Sequence, residues 1–311
     1  MIRLENTTSH AVASAIARER HRMGSPATGM VLTLIVIADE ETQAAASDAA
    51  AFAAQEHPMR ILVVIPRPGR NAPRLDAEVR VGGDEGPGEV AKLRLRGQLA
   101  EHGGFVIIPL LLSDTPVVAW WPHLAPEVPA SDLIGQHAQR RITTSPASSR
   151  QVAALTSCAT GYTPGDTDLA WTQITSWRSL LAAALDQPHG SITGVEVTAR
   201  SSHAASHLLA SWLCCRLKAP TSMISSKNPG ISGVRLLTTA GDIVLSRPDR
   251  GAATLTRPGL PPAKIALLRP NVGDLLAEEL RRLDPDDVYG ETLKSLHKVG
   301  SGRLDRAGKD S

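Results

Sequence analysis

Residues 165–178 gather two aspartates, two of the five tryptophans and an arginine in a chain that has only two Phe and two Tyr. These are the residue types of a recognition surface or of an acid pair. Asp166 and Asp168 could share acid–base work, but their setting favours another reading. Asp166 is placed to cap a helix running from there to about residue 186, and Asp168 puts a carboxylate in its first turn, where the helix dipole favours it. At about 100° per residue, Ala170, Ile174, Trp177, Leu181 and Leu185 share one stripe, which is the core face. Asp168, Trp171, Thr175 and Arg178 form an adjacent stripe that suits a partner or a small effector. The same stripe can also be a self-stabilised surface in which Arg178 stacks on Trp171. A second aromatic site is Trp120-Trp121, followed by Pro122 at a strand end. Adjacent strand residues point to opposite faces, so one ring is expected in the core and the other toward a cleft or partner, unless helices cover both.

Other chemistry is thin. His203 and His207 have the i, i+4 spacing of helical metal ligands, but neither an HExxH glutamate nor a finger-type cysteine accompanies them, and they read as polar-face histidines. Cys214 and Cys215 are neighbours on one helix and point about 100° apart, so they are separate thiols rather than a redox pair. The loop at 82–88 joins two strands and lacks the helix N-terminus that makes a phosphate cradle. Walker, serine-elbow and catalytic-cysteine signatures are absent from the sequence. No residue earns a catalytic role, and no metal or cofactor is expected.

The elements that must position these groups alternate between strands and helices. A first helix covers 9–22, with Val12, Ile16 and Met23 near helical spacing. Residues 31–38 and 60–65 are buried strands on either side of an alanine-rich helix at 40–55, which makes a βαβ unit with a parallel crossover. Pro66 and Pro68 should stop the second of these strands. Alternating strands follow at 75–81 and 89–95, then buried strands at 105–112 and 116–121. The stretch 133–141 is helical or strand-like, and 142–159 is ambiguous. After a linker at 187–191 come a strand at 192–199, a helix at 204–217, strands at 234–239, 243–246, 252–256 and 265–268, and a helix from 272 to about 283 that continues or restarts after Asp284-Pro285. The expectation is α/β throughout. It comprises an N-terminal domain, 1–186, with a mixed sheet; a smaller C-terminal domain, 192–299, with an antiparallel meander; and a disordered tail, 300–311.

Composition narrows the function classes. The chain is 42% hydrophobic and 21% charged, as in globular proteins, and its 3% aromatic content requires an aliphatic core. A formal charge of +2, with its basic excess late in the chain, argues against nucleic-acid binding. Three cysteines without a CxxC pair suit a reducing cytoplasm. The charged N-terminus does not read as a signal peptide. The apolar runs at 31–38 and 105–112 are far short of the roughly 20 residues of a membrane span.

Several segments, in order and spacing, resemble the OpcA family, the glucose-6-phosphate dehydrogenase assembly proteins. They are Asn6-Thr7-Thr8 and residues 29–34, 56–60, 73–77, 108–112, 116–122, 140–143, 162–178 and 280–286, and the likeness extends from about residue 6 to about 298. Cys214-Cys215 departs from the small residues usual at that place, and 218–232 matches poorly. The resemblance implies a non-catalytic, cytoplasmic partner that binds and activates glucose-6-phosphate dehydrogenase, the first oxidative step of the pentose phosphate pathway; hydride chemistry and NADP then belong to the partner. On that implication Asp168, Trp171, Thr175 and Arg178, bordered by Trp120 or Trp121, are the candidate contact or effector surface. The rival is an α/β enzyme or sensor for a sugar-phosphate-like molecule, with Asp166, Asp168 and Arg178 as polar contacts. The resemblance assigns no role to Cys158, Cys214 or Cys215.

Overall fold

The computed structural model describes residues 1–23, 29–82, 88–247, 252–267 and 269–304. Its segments group into two compact units that interleave along the chain. Met1–Ala147, Gly161–Leu169 and Pro270–Pro285 make the first; Ser148–Thr160, Ala170–Arg269 and the chain from Asp286 onward make the second. The sequence reading set the domains consecutively instead, at 1–186 and 192–299.

The first unit is built on eight strands: β1 (Ile2–Leu4), β2 (Leu32–Ile37), β3 (Met59–Arg67), β4 (Arg74–Val81), β5 (Glu89–Arg96), β6 (Val117–Trp120), β7 (Arg140–Thr143) and β8 (Asp166–Asp168). Their spatial order is β1-β4-β5-β3-β2-β6-β7-β8. From β5 to β8 all neighbours are parallel, and β4 and β1 add antiparallel pairs at one edge. Taken in chain order, the parallel strands lie third, second, first, fourth, fifth, sixth, which is the doubly wound order with a switch point between its first and fourth members, here β2 and β6. The helix Gln43–Ala54 buries five alanines against one face; the helix Ser9–Met23 buries Val12 and Ile16 against the other. Small side chains let the alanine helix lie close on the β-branched strands. The side chain of Met23 is outside the described set.

Two expectations fail for identifiable reasons. Residues 105–112 form a helix, Gly103–Ile107, and a 3-10 turn, Ile108–Leu110, not a strand. Val106, Ile107 and Leu110 are buried while Phe105 is 71% exposed, a helical rather than alternating pattern. Gly104 lies so close to the Leu133 carbonyl that a Cβ would sit 2.4 Å from it. The second failure is at β3, which continues through Pro66 to Arg67. Pro66 faces the same side as Val64, where β2 has already ended at Ile37, so no ladder bond is missed.

The C-terminal helix Val272–Leu280 returns to the first unit. Asn271 and Asp274 cap it reciprocally, and Leu275, Leu276, Ala277 and Leu280 join the core beneath the alanine helix. Arg140 of β7 forms a buried ion pair with Glu279 and donates to the Asp284 carbonyl at 3.0 Å. His57 Nε2 and the Ala277 carbonyl are 2.9 Å apart.

The second unit carries a seven-stranded sheet: β9 (Ile192–Ala199), β10 (Thr221–Ser225), β11 (Ile231–Thr238), β12 (Ile243–Ser246), β13 (Ala253–Arg257), β14 (Leu260–Ile265) and β15 (Gly300–Ser301). Their order is β14-β13-β12-β11-β9-β10-β15, with the expected antiparallel meander from β11 to β14 and parallel pairs at β9–β10 and β10–β15. The helix Ala204–Leu217 forms as expected and ends at Lys218 in the left-handed conformation. Strand β10 and the helix Gln151–Thr160 were not anticipated. The last meander strand precedes the expected 265–268, of which Leu268 lies outside the described residues. Within the expected tail, 300–304 is ordered as β15 and a bond from Leu304 N–H to Glu196, while 305–311 is not described. No described helix is long and apolar enough to cross a membrane.

Removing Glu279 leaves the Arg140 guanidinium buried without its anion. Glu279→Ala is therefore expected to lower stability by about 3–5 kcal/mol in urea denaturation, and the double replacement Arg140→Met/Glu279→Leu to restore most of it.

Candidate functional site

In a doubly wound sheet, ligands bind outside the carboxyl ends of the strands at the switch point. Here that place is formed by residues 38–42 after β2 and by Trp121-Pro122-His123 after β6. The turn into the alanine helix reads Ala38-Asp39-Glu40-Glu41-Thr42 and has none of the glycines of a phosphate-binding turn. Asp39 Oδ1 accepts the backbone N–H groups of Glu41 (3.1 Å) and Thr42 (2.7 Å) and the Thr42 hydroxyl (2.6 Å). The Thr42 hydroxyl, the backbone N–H groups and nearby His123 hold its carboxyl below the usual range against the opposing effect of burial. His123 Nδ1 stands 3.6 Å from its other oxygen. Glu40 pairs with Arg67 at 2.6 Å and Arg94 at 3.4 Å. A dinucleotide pyrophosphate would need these turn amides, and the chain's own carboxylate already takes them, with two more carboxylates beside it. The residues do not fit a dinucleotide.

Residues 165–178 do not form one helix. Asp166 and Asp168 lie in β8, parallel to β7, followed by a short helix, Leu169–Thr172, and a separate helix, Thr175–Leu185. Asp166 is therefore not a helix cap. It forms a buried ion pair with Arg141 and accepts the Thr163 N–H at 2.7 Å. Asp168 is fully buried and accepts from the Thr143 hydroxyl (2.6 Å), the Ser145 N–H (2.9 Å) and the Ser145 hydroxyl (2.8 Å). The strand takes precedence over the helical pattern because β7 offers both a ladder edge and hydroxyl and guanidinium partners for the two carboxylates.

In the second unit Trp171 is only 2% exposed, which corrects the surface reading. Its indole N–H donates to Asp286 at 2.8 Å, and its ring lies 5.6 Å from that of Tyr289. The Arg178 guanidinium covers it at 3.7 Å and donates to the Thr175 hydroxyl at 3.2 Å. Thr175 and Arg178 alone of the expected contact residues keep partial exposure. Asp286 Oδ1 also accepts the Tyr289 N–H at 3.0 Å, capping the helix Asp287–Leu293. Trp177 is core, as expected. Trp120 and Trp121 do point to opposite faces, but each enters one of the two core layers of the first unit, and Trp120 donates to the Thr144 hydroxyl at 2.9 Å. Neither faces a cleft.

His203 precedes the helix Ala204–Leu217, while His207 lies on it with Nε2 2.9 Å from the Ser201 carbonyl. Among the described residues no group of three His, Cys, Asp or Glu could hold a metal. Burial, then the charges of Arg269, His207, Arg200 and Arg247, bring the His203 pKa down to about 4. Cys158, Cys214 and Cys215 are all half-buried. Gly82 and Gly88 close the β4–β5 hairpin with a 3.0 Å backbone bond; 83–87, the body of the glycine loop, lie outside the described residues. The switch-point acids had no local sequence signal. Only the strand order shows that this turn occupies a phosphate position.

Comparison with known proteins gives two family matches, described as the N-terminal domain and the C-terminal domain of a glucose-6-phosphate dehydrogenase subunit. The first matches residues 50–160 and the second 164–293. No curated protein matches. Among solved structures, the 3-ketoreductase KijD10 from Actinomadura kijaniata, in complex with NADP and TDP-benzene, aligns over 87% of this chain and 98% of its own, with 8% identity and a TM-score of 0.47. An oxidoreductase from Sinorhizobium meliloti aligns over 86% and 96%, with 9% identity and a TM-score of 0.44.

Two outcomes follow from the geometry. Asp286→Ala removes a helix cap and the acceptor of a buried indole N–H, and is expected to cost about 2 kcal/mol or more in denaturant unfolding, with loss of near-ultraviolet dichroism from Trp171; Asp286→Asn should lose less. His203 resists protonation in the fold but not in the unfolded chain. Its stabilising effect is therefore complete above about pH 6.5 and lost as pH falls toward 4, by up to about 3 kcal/mol. Replacement by Gln should flatten the stability profile across that window.

Proposed function

Since the chain belongs to the OpcA family of glucose-6-phosphate dehydrogenase assembly proteins, we propose that it is a non-catalytic assembly factor and allosteric activator that binds glucose-6-phosphate dehydrogenase and so acts on the oxidative pentose phosphate pathway. The observation that carries the non-catalytic part is Asp39. A doubly wound sheet is the framework on which dinucleotide enzymes place their cofactor, and in this chain an internal carboxylate holds the turn amides that the pyrophosphate would need. The fold is kept while its cofactor position is filled from within, which suits a protein whose work is contact rather than hydride transfer.

Activation needs no chemistry on this chain. A protein that binds the active assembly of an enzyme better than the inactive one shifts the population toward it, and a tenfold shift takes only about 1.4 kcal/mol of differential binding. Thr175 and the outer face of Arg178 are the parts of the expected contact stripe still open to a partner. The same geometry disfavours a small-molecule site built on Asp166, Asp168 and Arg178: Asp166 is held by Arg141, Asp168 by Thr143 and Ser145, and Arg178 lies on Trp171.

Purified together, the two proteins should form a complex, and the dehydrogenase should show a changed KM or kcat in its presence. Absence of a complex would sink the partner reading, and a complex with unaltered kinetics would reduce it to a scaffold. Thr175→Glu places an acid that a helix N-terminus tolerates, so it should weaken the complex about tenfold or more while the thermal midpoint stays put. Titration of NADP into this chain alone should give no saturable signal; saturable binding would contradict the non-catalytic role.

A further inference from the structure

The second unit concentrates positive charge at the start of the helix Ala204–Leu217. His203 is the residue before it, and Arg200 lies one turn earlier. Three consecutive residues, Pro229-Gly230-Ile231, lie against this end. The Gly230 carbonyl accepts the Arg200 N–H at 3.2 Å, and a Cβ on Gly230 would stand 3.6 Å from His203 Nε2. Arg269 donates to the Pro229 carbonyl at 3.2 Å, and Arg247 donates to the carbonyls of Ile231 (3.4 Å) and Leu267 (3.1 Å). His203, Arg247 and Arg269 thus meet around one turn, and the charge of Arg200, whose backbone is tied to the same turn, reaches His203.

Their charge is not balanced from within the described residues. No Asp or Glu among these pairs with Arg200, His203, Arg247 or Arg269 within 4.0 Å, the ion-pair distance. Arg247 is only 6% exposed, and its Nε is buried without a partner; His203 Nδ1 is buried without one as well. The ring of Trp177, 5.3 Å from the Arg247 guanidinium, offers a π face but no anion. A buried guanidinium without a counter-charge is costly, and the helix N-terminus adds positive potential at the same place. Burial first, and then the charges of Arg269, His207, Arg200 and Arg247, bring the His203 pKa down to about 4. An anion arriving there would meet a ready set of donors and would let His203 take up a proton.

We propose that this end of the helix is a binding site for a small oxyanion of the phosphate class, free or as a phosphate monoester, held by Arg200, His203, Arg247 and Arg269. The guanidinium fork suits phosphate oxygens, and burial at Arg247 raises the worth of each charge-assisted bond. The site is a property of this chain alone and does not depend on the dehydrogenase.

The test is calorimetric titration of the full chain with inorganic phosphate and, separately, with glucose 6-phosphate, at constant ionic strength maintained with chloride. Saturable one-site binding of either is expected, and it should weaken at least about tenfold in Arg269→Ala and in Arg200→Ala, whose side chains are exposed enough that folding is spared. In parallel, the His203 ring proton should titrate at higher pH when phosphate is present. A monoester binding tenfold more tightly than phosphate identifies a sugar-phosphate ligand, and equal affinity identifies free phosphate. Absence of saturation with both, or affinity unchanged in Arg269→Ala, overturns the site. Arg247→Met is the internal variant; should it fail to fold, the two exposed arginines still decide the matter.

Discussion

Strands β7 and β8 bury two arginines and two aspartates side by side, and each of these charges must be met inside the fold. The solution organises much of the first unit. Arg141 takes Asp166 across the strand pair, and Asp168 takes the hydroxyls of Thr143 and Ser145. Arg140 points the other way and needs an anion that neither strand supplies. Glu279 provides it, from the segment 270–285 that returns to this unit and also packs Leu275, Leu276, Ala277 and Leu280 into its core. Charges removed from water are costly to leave unpaired, so these pairs set strand register and chain path more than they add net stability.

The same logic operates at the switch point with a different consequence. A parallel sheet in the doubly wound order creates a crevice between the strands that head in opposite directions, and a helix N-terminus beside it offers N–H groups to an anion. Asp39 accepts the N–H groups of Glu41 and Thr42, in the turn just before that helix. The strand order is that of a dinucleotide fold, yet the turn amides at its switch point are taken by a carboxylate of the chain, and Glu40 beside it pairs with Arg67 and Arg94.

The tryptophan-rich segment illustrates how recognition-like composition can be structural. Trp171 combines a cation, an acid and an aromatic neighbour, the ingredients of an interface anchor. All three prove to be internal: Arg178 covers the ring, Asp286 receives its N–H and Tyr289 lies beside it. Asp286 serves as indole acceptor and helix cap at once, so one carboxylate joins two segments of the second unit.

What the sequence determined by itself is whatever depends on near neighbours. The burial period of β2 and β3, the alanine face of the helix between them, the meander strands β11–β13 and the helix Ala204–Leu217 were all legible, because hydrophobic spacing of 2 or 3.6 is written within a few residues. The family resemblance was legible for the same reason, as ordered local motifs. Tertiary structure decided the rest. Residues 166–168 carry a helical pattern yet form a strand, because β7 supplies partners that no window around Asp166 contains. The run at 105–112 looks like a strand but winds into a helix against the Leu133 backbone. Besides nearby Arg178, Trp171 is met by Asp286 and Tyr289 more than a hundred positions away, and Asp39 acquires meaning only from the order of strands around it. The cation cluster at His203 is equally invisible in sequence, since Arg200, Arg247 and Arg269 are brought together only by the fold. Pairing energies act through space between distant residues, and a linear pattern records one partner without naming the other.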